Sequence, residues 1–395
     1  MYTWYNDKNL TPDEVRKAIA ESGIREYSLG REPLADRIAA AQDACREDGL
    51  TPGVLCALYN SDTKGALLPL LKEDPEKILK GLSYAAIAAE AEEAFLYIPD
   101  FADDLVPAVE ELCGQYHVTL ERGIVDVRRR AGCLMMHVAT AADLADLFAG
   151  TYKPGIYVSA EGGSPVKAEE GTAVSDLVDV SGAKAVIAGM KVLSPEEAQM
   201  TIGEAAPEDG YLHAVGASEC LIQTVSAALA ASGKQSCGKC VFCREGLIQM
   251  QFMHKEMTSG RGKQEHLDLI KEIGEGMYVS NPCTMGQQSA VIALTALDKF
   301  ESVYKDHIKK KCSVCFSKEV IYIDPKLCQG CTECADVCPH DCIEGKAKFI
   351  HMIDDFDCDL CGKCIEACEY DAVIRTSGKV PKLPNRLTKV GKFKR

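Results

Sequence analysis

The stretch CQGCTECADVCP, residues 328–339, decides the fold of the C-terminal part of this chain, and CDLCGKCIEACE, residues 358–369, repeats it. Each stretch has the spacing C-x2-C-x2-C-x3-C. Three closely spaced thiolates can bind three corners of a cubane cluster, and a distant cysteine can bind the fourth. Zinc is the competing interpretation, but zinc sites normally use two separated cysteine pairs rather than this run twice. The spacing therefore predicts two [4Fe–4S] clusters.

In chains with two such runs, the fourth cysteine of each run binds the other cluster. The first run ends in Pro339 where the second has Glu369, which is a minor departure. Beyond residues 309–311 the chain has few large apolar residues, so we expect it to depend on its metal centres for folding. The predicted ligand sets are Cys328, Cys331, Cys334 and Cys368 for one cluster, and Cys338, Cys358, Cys361 and Cys364 for the other.

A third set of cysteines lies upstream, in a region of helical periodicity. Cys237, Cys240 and Cys243 repeat the C-x2-C-x2-C spacing, and Cys283 follows forty residues later. Helical segments between them can fold the chain back so that Cys283 supplies the fourth thiolate. The sequence therefore predicts three [4Fe–4S] clusters in all, and a protein that transfers electrons.

Composition limits the other classes of function. The chain has 395 residues, more than one hydrophobic core usually serves, so several domains are expected. Its formal charge of −15 argues against binding to nucleic acid, which depends on neutralising phosphates. Clustered cysteines without a signal peptide favour metal binding in a reducing compartment, and we expect a cytoplasmic protein. No apolar run is long enough for a membrane span.

Changes in periodicity along the chain predict its domains. Alternating helices and strands come first, with helices over Pro12–Glu21, Leu34–Glu47 and Pro75–Glu93 and strands over Val54–Tyr59 and Phe95–Ile98. A β-rich segment and a helical segment follow. The predicted domains are an α/β domain at 1–150, a small β domain at 151–205, a helical iron–sulfur bundle at 206–308, a linker with the two-cluster domain at 309–378, and a basic tail at 379–395.

The basic tail has seven Lys or Arg residues and no acid. We expect a solvated, flexible segment or, alternatively, a segment that docks on an acidic partner surface.

Eight cysteines remain outside the three sets. Cys312-x2-Cys315 is half of a zinc site, and Cys342 with His351 would complete a Cys3His tetrahedron that pins the linker to the two-cluster domain. The alternatives are free thiols, or His340 in place of His351. The other cysteines have apolar neighbours and are expected in the core: Cys45, Cys56, Cys113, Cys133 and Cys220.

The segments 236–246 and 281–286 resemble the cluster-bearing bundle of the NADH-oxidising flavoprotein subunit of respiratory complex I and of bifurcating iron hydrogenases. In the hydrogenase relatives a two-cluster ferredoxin domain follows this bundle, as it does here. Residues 152–158 and 188–190 resemble the family's soluble-ligand-binding β-grasp module, and residues 74–81 with the Ala-rich helix resemble the later part of its flavin domain. The resemblance implies an α/β + α protein: a flavoprotein-type α/β domain, a small β-grasp domain, a helical bundle with one cluster, and a ferredoxin-like two-cluster domain.

The family's loop for FMN phosphate and dinucleotide reads S-G-L-R-G-R-G-G-A-G-F-P. The matching residues 22–33 read SGIREYSLGREP, so that glycines are replaced by Glu26, Ser28, Leu29 and Arg31. A glycine loop binds phosphate because its backbone N–H groups can approach closely, and side chains prevent that approach. Glu26 also adds a like charge. The loop therefore resembles a degenerate FMN/NAD-binding loop.

The acidic signature N-A-D-E-G-E-P-G of the family should lie near residues 56–65, which read CALYNSDTKG here. Both flavin and nicotinamide contacts are thus disfavoured. We expect no FMN and no cofactor-binding or catalytic residues in this domain, which would serve as a scaffold and docking surface.

These observations favour an electron-relay subunit whose three clusters connect partner subunits of a cytoplasmic oxidoreductase. The partners would be a flavin-, molybdenum- or other metal-containing catalytic subunit and a ferredoxin-like subunit. The alternative is an FMN-dependent NAD(P)H dehydrogenase (diaphorase) subunit with an altered loop. A cluster-based redox sensor or binding module is a third possibility.

Overall fold

The computed structural model describes residues 4–27, 30–126, 130–316, 319–354, 357–377 and 380–393. The chain forms two compact units, Met1–Lys311 and Cys312–Arg395, which are described separately.

The first unit begins with an α/β domain built on a parallel sheet of strand order β3-β2-β1-β4. Every residue of β1 is buried, as expected for a central strand covered on both faces. The strands are β1 (Gly53–Ala57), β2 (Glu93–Ile98), β3 (Thr119–Arg122) and β4 (Cys133–His137). The helices are α1 (Pro12–Ser22), α2 (Leu34–Asp48), α3 (Leu68–Glu73), α4 (Pro75–Ala89), α5 (Val106–Gln115) and α6 (Val138–Ala149).

Local sequence signals explain the helix ends in this domain. Thr11 and Glu14 form a reciprocal capping box at the start of α1, and Asp74 caps α4 by accepting from the backbone N–H of Lys77. The predicted helix over Pro75–Glu93 ends earlier, at Ala89, because Glu90 adopts a left-handed conformation (φ 53°). Glu93 then begins β2.

The second part of the first unit is a five-stranded sheet of order β6-β5-β9-β7-β8. Strand β5 runs parallel to β9, and the other neighbours are antiparallel. The sheet extends past residue 205, where the sequence suggested a domain boundary, because β9 pairs with both β5 and β7. Its elements are β5 (Ile156–Ala160), β6 (Val166–Ala168), β7 (Ala185–Ala188), β8 (Lys191–Leu193), α7 (Ile202–Ala205) and β9 (Tyr211–Val215).

A helical bundle completes the first unit. Its helices are α8 (Leu221–Gln235), α9 (Val241–Thr258), α10 (Glu265–Ser280) and α11 (Thr284–Ile308). The apolar positions that recur at helical spacing are buried, and the methionines of α9 belong to its core: Met250, Met253 and Met257. Methionine fills irregular gaps between helices, which explains their use here.

The second unit is short in regular structure and has approximate internal repetition. Strand β10 (Val320–Ile323) pairs with β13 (Val373–Thr376), and β11 (Ile343–Glu344) pairs with β12 (Met352–Ile353), both antiparallel. Its one-turn helices are α12 (Ser313–Phe316), α13 (Glu333–Asp336) and α14 (Lys363–Glu366). Several cysteines belong to its core together with Ile321, Ile323, Ile350 and Val373.

Candidate iron–sulfur centres

The cysteines of the bundle set lie at the N-termini of two helices. Cys240 and Cys283 are the N-cap residues of α9 and α11, Cys243 is in the first turn of α9, and Cys237 lies in the preceding loop. All four line a cavity of about 220 Å³. Helix N-termini present unpaired N–H groups and a positive dipole end, which favour an anionic thiolate cluster.

Burial and hydrogen bonds act in opposite directions on the cysteines of this cavity. Burial raises the pKa of Cys243 and of Cys283. Two features oppose this rise: Ser236 Oγ lies 3.4 Å from Cys243 Sγ, and the N–H groups of Met285 and Gly286 lower the pKa of Cys283. Bound iron would supply the positive charge that several adjacent thiolates require, and thiolates are its preferred ligands.

The α/β domain forms one wall of the same cavity. Asn60, which follows β1, closes a pair of hydrogen bonds with Val125, and Asp126 forms an ion pair with Lys239 of the cysteine loop. The cluster site therefore faces the carboxyl edge of the parallel sheet, where ligands usually bind in α/β proteins.

In the second unit the cysteines gather in the two crossed sets that the spacing predicts. Burial, with the nearby Cys328, Cys331 and Cys368, raises the pKa of Cys334 to about 12. Cys364 has a raised pKa for the same reasons, with Cys358, Cys361 and Cys338 as its neighbours. Gly330 (φ 70°) and Gly362 (φ 83°) let the two loops turn around their cysteines. These residues fit two further clusters.

The residues of the predicted zinc site lie in different surroundings. Cys315 N donates to Cys312 Sγ at 3.5 Å, as in a C-x2-C metal loop. Cys342 Sγ instead lies 3.4 Å from Cys338 Sγ, in the second cluster set. His351 is buried, and neither ring nitrogen has a hydrogen-bond partner among the residues that the structure describes. Among the described residues, no group of three ligand atoms within 4.8 Å of one another includes Cys342 or His351.

The first unit contains a cysteine–histidine pair that the sequence reasoning missed. Cys220, expected only as a core residue, has its Sγ 3.1 Å from His307 Nε2. His307 Nδ1 lies 2.8 Å from the carbonyl of Val303, and burial lowers the histidine pKa, which favours a neutral ring with Nε2 available as an acceptor or ligand. The signal was in the sequence, because His307 precedes Cys312 by five residues and Cys315 by eight.

The loop at residues 22–33 fills the carboxyl edge of the α/β sheet with its own side chains. Residues 25 and 33 form a β-bridge, and Glu26 and Tyr27 point inward and are fully buried. Glu26 Oε1 accepts hydrogen bonds from the backbone N–H of His137, the N-cap of α6, and from Tyr59 Oη, both at 2.8 Å. Arg31 lies over the ring of Tyr27. Ser28 and Leu29 lie outside the described residues.

This geometry does not fit a phosphate at the α6 N-terminus. A carboxylate already accepts from the N–H of His137, and burial raises the Glu26 pKa. A second anion there would meet both the Glu26 side chain and its charge in a dry environment. The sequence anticipated the charge of Glu26 but not its pairing with Tyr59.

The cysteine sets and the folds around them define an iron–sulfur protein of the electron-transferring class. Residues 223–307 match the family described as NADH-ubiquinone oxidoreductase-F iron-sulfur binding region, and residues 320–369 match the 4Fe-4S dicluster domain. The first match spans the bundle cysteines and the second spans all eight cysteines of the two runs. The expected resemblance to the flavoprotein subunits of complex I and of hydrogenases is thereby confirmed.

Two curated relatives match this chain over different lengths. The NADP-reducing hydrogenase subunit HndC of Solidesulfovibrio fructosivorans is 32% identical over 136 residues, which cover 34% of this chain and 28% of the relative. The F 2 subunit of the NADH-quinone oxidoreductase of Rhizobium meliloti is 21% identical over 390 residues, covering 76% of this chain and 90% of the relative. The match to HndC thus spans under a third of that relative's length.

Among solved structures, a chain of an NAD+-reducing [NiFe]-hydrogenase matches with a TM-score of 0.62 and 16% identity, covering 75% of this chain and 62% of that one. At this identity the likeness concerns the fold alone. Within the part of the chain that the structure describes, no helix is both long and apolar enough to cross a membrane.

Proposed function

We propose that this protein is an electron-relay subunit of a multi-subunit oxidoreductase, in which three [4Fe–4S] clusters connect partner subunits and the chain has no FMN or NADH site of its own. Two features at the carboxyl edge of the α/β sheet support this function. Four cysteines surround a cavity at two helix N-termini, while Glu26 occupies the nearby N-terminus of α6. Its relatives are named as subunits of such oxidoreductases, which supports the same place for this chain.

In this function the chain's own residues hold and tune the clusters. Bound clusters would accept and pass on single electrons. Ser236 and the N–H groups of Met285 and Gly286 would stabilise negative charge at the bundle site, which favours the reduced state. The flanking Asn60 and Val125 would exclude water from it.

Iron analysis tests the number of clusters. We expect about twelve iron atoms per chain, four for each of three clusters. Cys240→Ser should lose about four of them, because serine replaces one ligand of the bundle cluster. The matched control is Cys45→Ser, because Cys45 is a buried cysteine outside the three sets and its Sγ donates to the Gly132 carbonyl. This variant should keep all the iron. Equal iron in both variants would contradict the bundle cluster.

Flavin analysis tests the alternative function, an FMN-dependent NAD(P)H dehydrogenase. The relation to the F-type subunits of NADH-quinone oxidoreductases favours that alternative, whereas the buried Glu26 disfavours it. Acid extraction of the purified chain should release no flavin, and NADH should not reduce its clusters, while dithionite should. One flavin per chain would exclude the proposal that this protein is a relay subunit without an FMN site.

We also propose one structural zinc ion at the Cys312-x2-Cys315 loop. Its other ligands would be Cys342 and His351, as the spacing predicts, or Cys342 and His340. Zinc content separates the two sets: His351→Gln should remove zinc in the first case and His340→Gln in the second. Full zinc in both variants and in Cys312→Ser would exclude the site.

The finer domain assignments belong to the same proposal. The five-stranded sheet would be the β-grasp module, the second unit a ferredoxin-like domain, and the whole assembly cytoplasmic. Limited proteolysis with mass spectrometry tests the domain boundaries, since cleavage should concentrate between domains.

A further inference from the structure

The C-terminal tail is packed onto the second unit over residues 380–393. Ile350 N donates to the Thr388 carbonyl at 2.8 Å, and Val390 N donates to the Lys348 carbonyl at 3.1 Å. Val390 and Phe393 pack against the cysteine-rich core. The described part of the tail therefore departs from the expectation of a solvated, flexible segment, because backbone pairing and two apolar anchors hold it.

This packing places the tail beside the first ferredoxin-type cluster site. Lys348 N also donates to the Gly330 carbonyl at 3.0 Å, and Gly330 lies between the predicted ligands Cys328 and Cys331. A side chain at position 330 would collide with the backbone of Phe349, so the contact is close. Cys331 is exposed, which brings this cluster site to the surface.

The surface formed in this way is basic. Its exposed cations come from two segments, Lys346 and Lys348 on one and Lys382, Arg386, Lys389 and Lys392 on the tail. Exposed carboxylates near these cations in the sequence are fewer: Glu344 precedes Lys346, and Glu333 and Asp336 lie on the helix that follows Cys331. The chain as a whole has a net charge of −15, so this basic surface contrasts with its overall charge.

We propose that these six cations form a docking face for a small acidic electron-carrier protein, which exchanges electrons with the cluster at Cys328, Cys331, Cys334 and Cys368. This inference rests on the proposed relay function. An acidic carrier is repelled by the chain's overall charge and attracted here, so the field directs it to the exposed cluster.

The chemistry of the face favours a transient carrier over a permanent subunit. Permanent interfaces are large and apolar, whereas encounters between redox proteins are small and polar. Exposed large apolar side chains of the second unit include Leu327, next to Cys328, and Leu387 on the tail. They can supply a small contact centre within a charged rim.

The test uses the complete chain with its clusters and reduced flavodoxin, an acidic one-electron carrier whose flavin absorbance follows the reaction. One electron passes from the flavin hydroquinone anion, which becomes the neutral semiquinone, to an oxidised [4Fe–4S] cluster, which is reduced by one electron. The second-order rate constant should fall steeply as ionic strength rises, because salt screens the attraction.

Four glutamine substitutions on the tail, at Lys382, Arg386, Lys389 and Lys392, should lower that rate constant by about tenfold or more at low ionic strength. The matched control replaces Lys8, Lys153, Lys234 and Lys255 by glutamine, which removes the same charge from exposed positions of the first unit and should change the rate by less than about twofold. Iron content and the rate with reduced methyl viologen should stay near the wild-type values in both variants.

A wild-type rate with flavodoxin in the tail variant, or an equal loss in the control, would overturn the docking face. Slow reduction of the tail variant by both reductants, with normal iron, would also overturn it, because the tail would then act on the cluster rather than on docking. Clusters of the wild-type protein that neither reductant can reduce would instead contradict the proposed relay.

Discussion

At the scale of single residues, Glu26 distinguishes this chain most clearly from a nucleotide-binding protein. Its carboxylate accepts from the N–H at the start of α6 and from Tyr59, at the sheet edge where a ligand anion would otherwise bind. Among the described residues, only Oε1 has a hydrogen-bond partner, and Oε2 is buried without one. The site is thus filled by the protein itself, at some cost in stability.

Replacing Glu26 by Gln should change how stability depends on pH. Burial raises the pKa of Glu26, so the folded state holds a proton more tightly than the unfolded state does. Its contribution to stability is therefore lost as pH rises through the folded pKa. Glutamine keeps an oxygen acceptor without the charge, so the variant should gain stability relative to wild type as the pH rises above the unfolded-state pKa of a glutamate, about 4.3.

Fluorescence of Trp4, the single tryptophan and a buried residue, can follow this unfolding of the α/β domain. Glu14→Gln serves as a control, because its effect on the pH dependence of stability should have the opposite sign. Hydrogen bonds from Thr11 lower the pKa of Glu14, so its stabilisation is present at neutral pH and lost as pH falls. If Glu26→Gln had the same pH slope as wild type, the buried carboxylate would not be responsible.

At the scale of elements, the crossing of α4 and α6 holds the α/β domain together. A Cβ at Gly81 of α4 would lie 1.8 Å from the carbonyl oxygen of Ala141 in α6, so the two backbones touch at this glycine. The sequence predicted a helix over Pro75–Glu93, and eleven residues of α4 are buried in the structure. The sequence could not identify the partner helix, because it lies about sixty residues away along the chain.

Gly81→Ala should destabilise the domain by about 1–3 kcal/mol or more, because neither backbone can move aside without separating the helices. Gly114→Ala in α5 is the matched control. No heavy atom of the described residues outside its own helix turn lies within 4 Å of its added Cβ, so it should stabilise by about 0.5–1 kcal/mol through helix propensity. Urea unfolding followed by Trp4 fluorescence measures both. A neutral Gly81→Ala would contradict the close crossing.

At the scale of the whole molecule, the two units depend on different forces. The first has an extensive apolar core across its sheets and helices. The core of the second has few large apolar side chains, and cysteines are a substantial share of it. Metal binding should therefore contribute more to the folding of the second unit.

Oxidative removal of iron in the presence of a chelator should unfold the second unit and leave the α/β domain folded. Rapid proteolysis within residues 312–395 is expected, together with an unchanged transition of Trp4. Untreated protein is the control. Resistance of the second unit to protease after complete loss of iron would show that its apolar core suffices.

Sequence alone determined the chemistry of this protein. Cysteine spacing predicted the three ligand sets because a cubane constrains its ligands locally, and helical periodicity placed α1 and α2 to within one residue. Tertiary structure decided what depends on distant partners: the pairing of Glu26 with His137 and Tyr59, the approach of Cys220 to His307, and the packing of the tail beside Gly330. A short sequence pattern can predict geometry that neighbouring residues impose on one another. Contacts between distant segments depend on how the whole chain packs, and no short stretch of sequence specifies that packing.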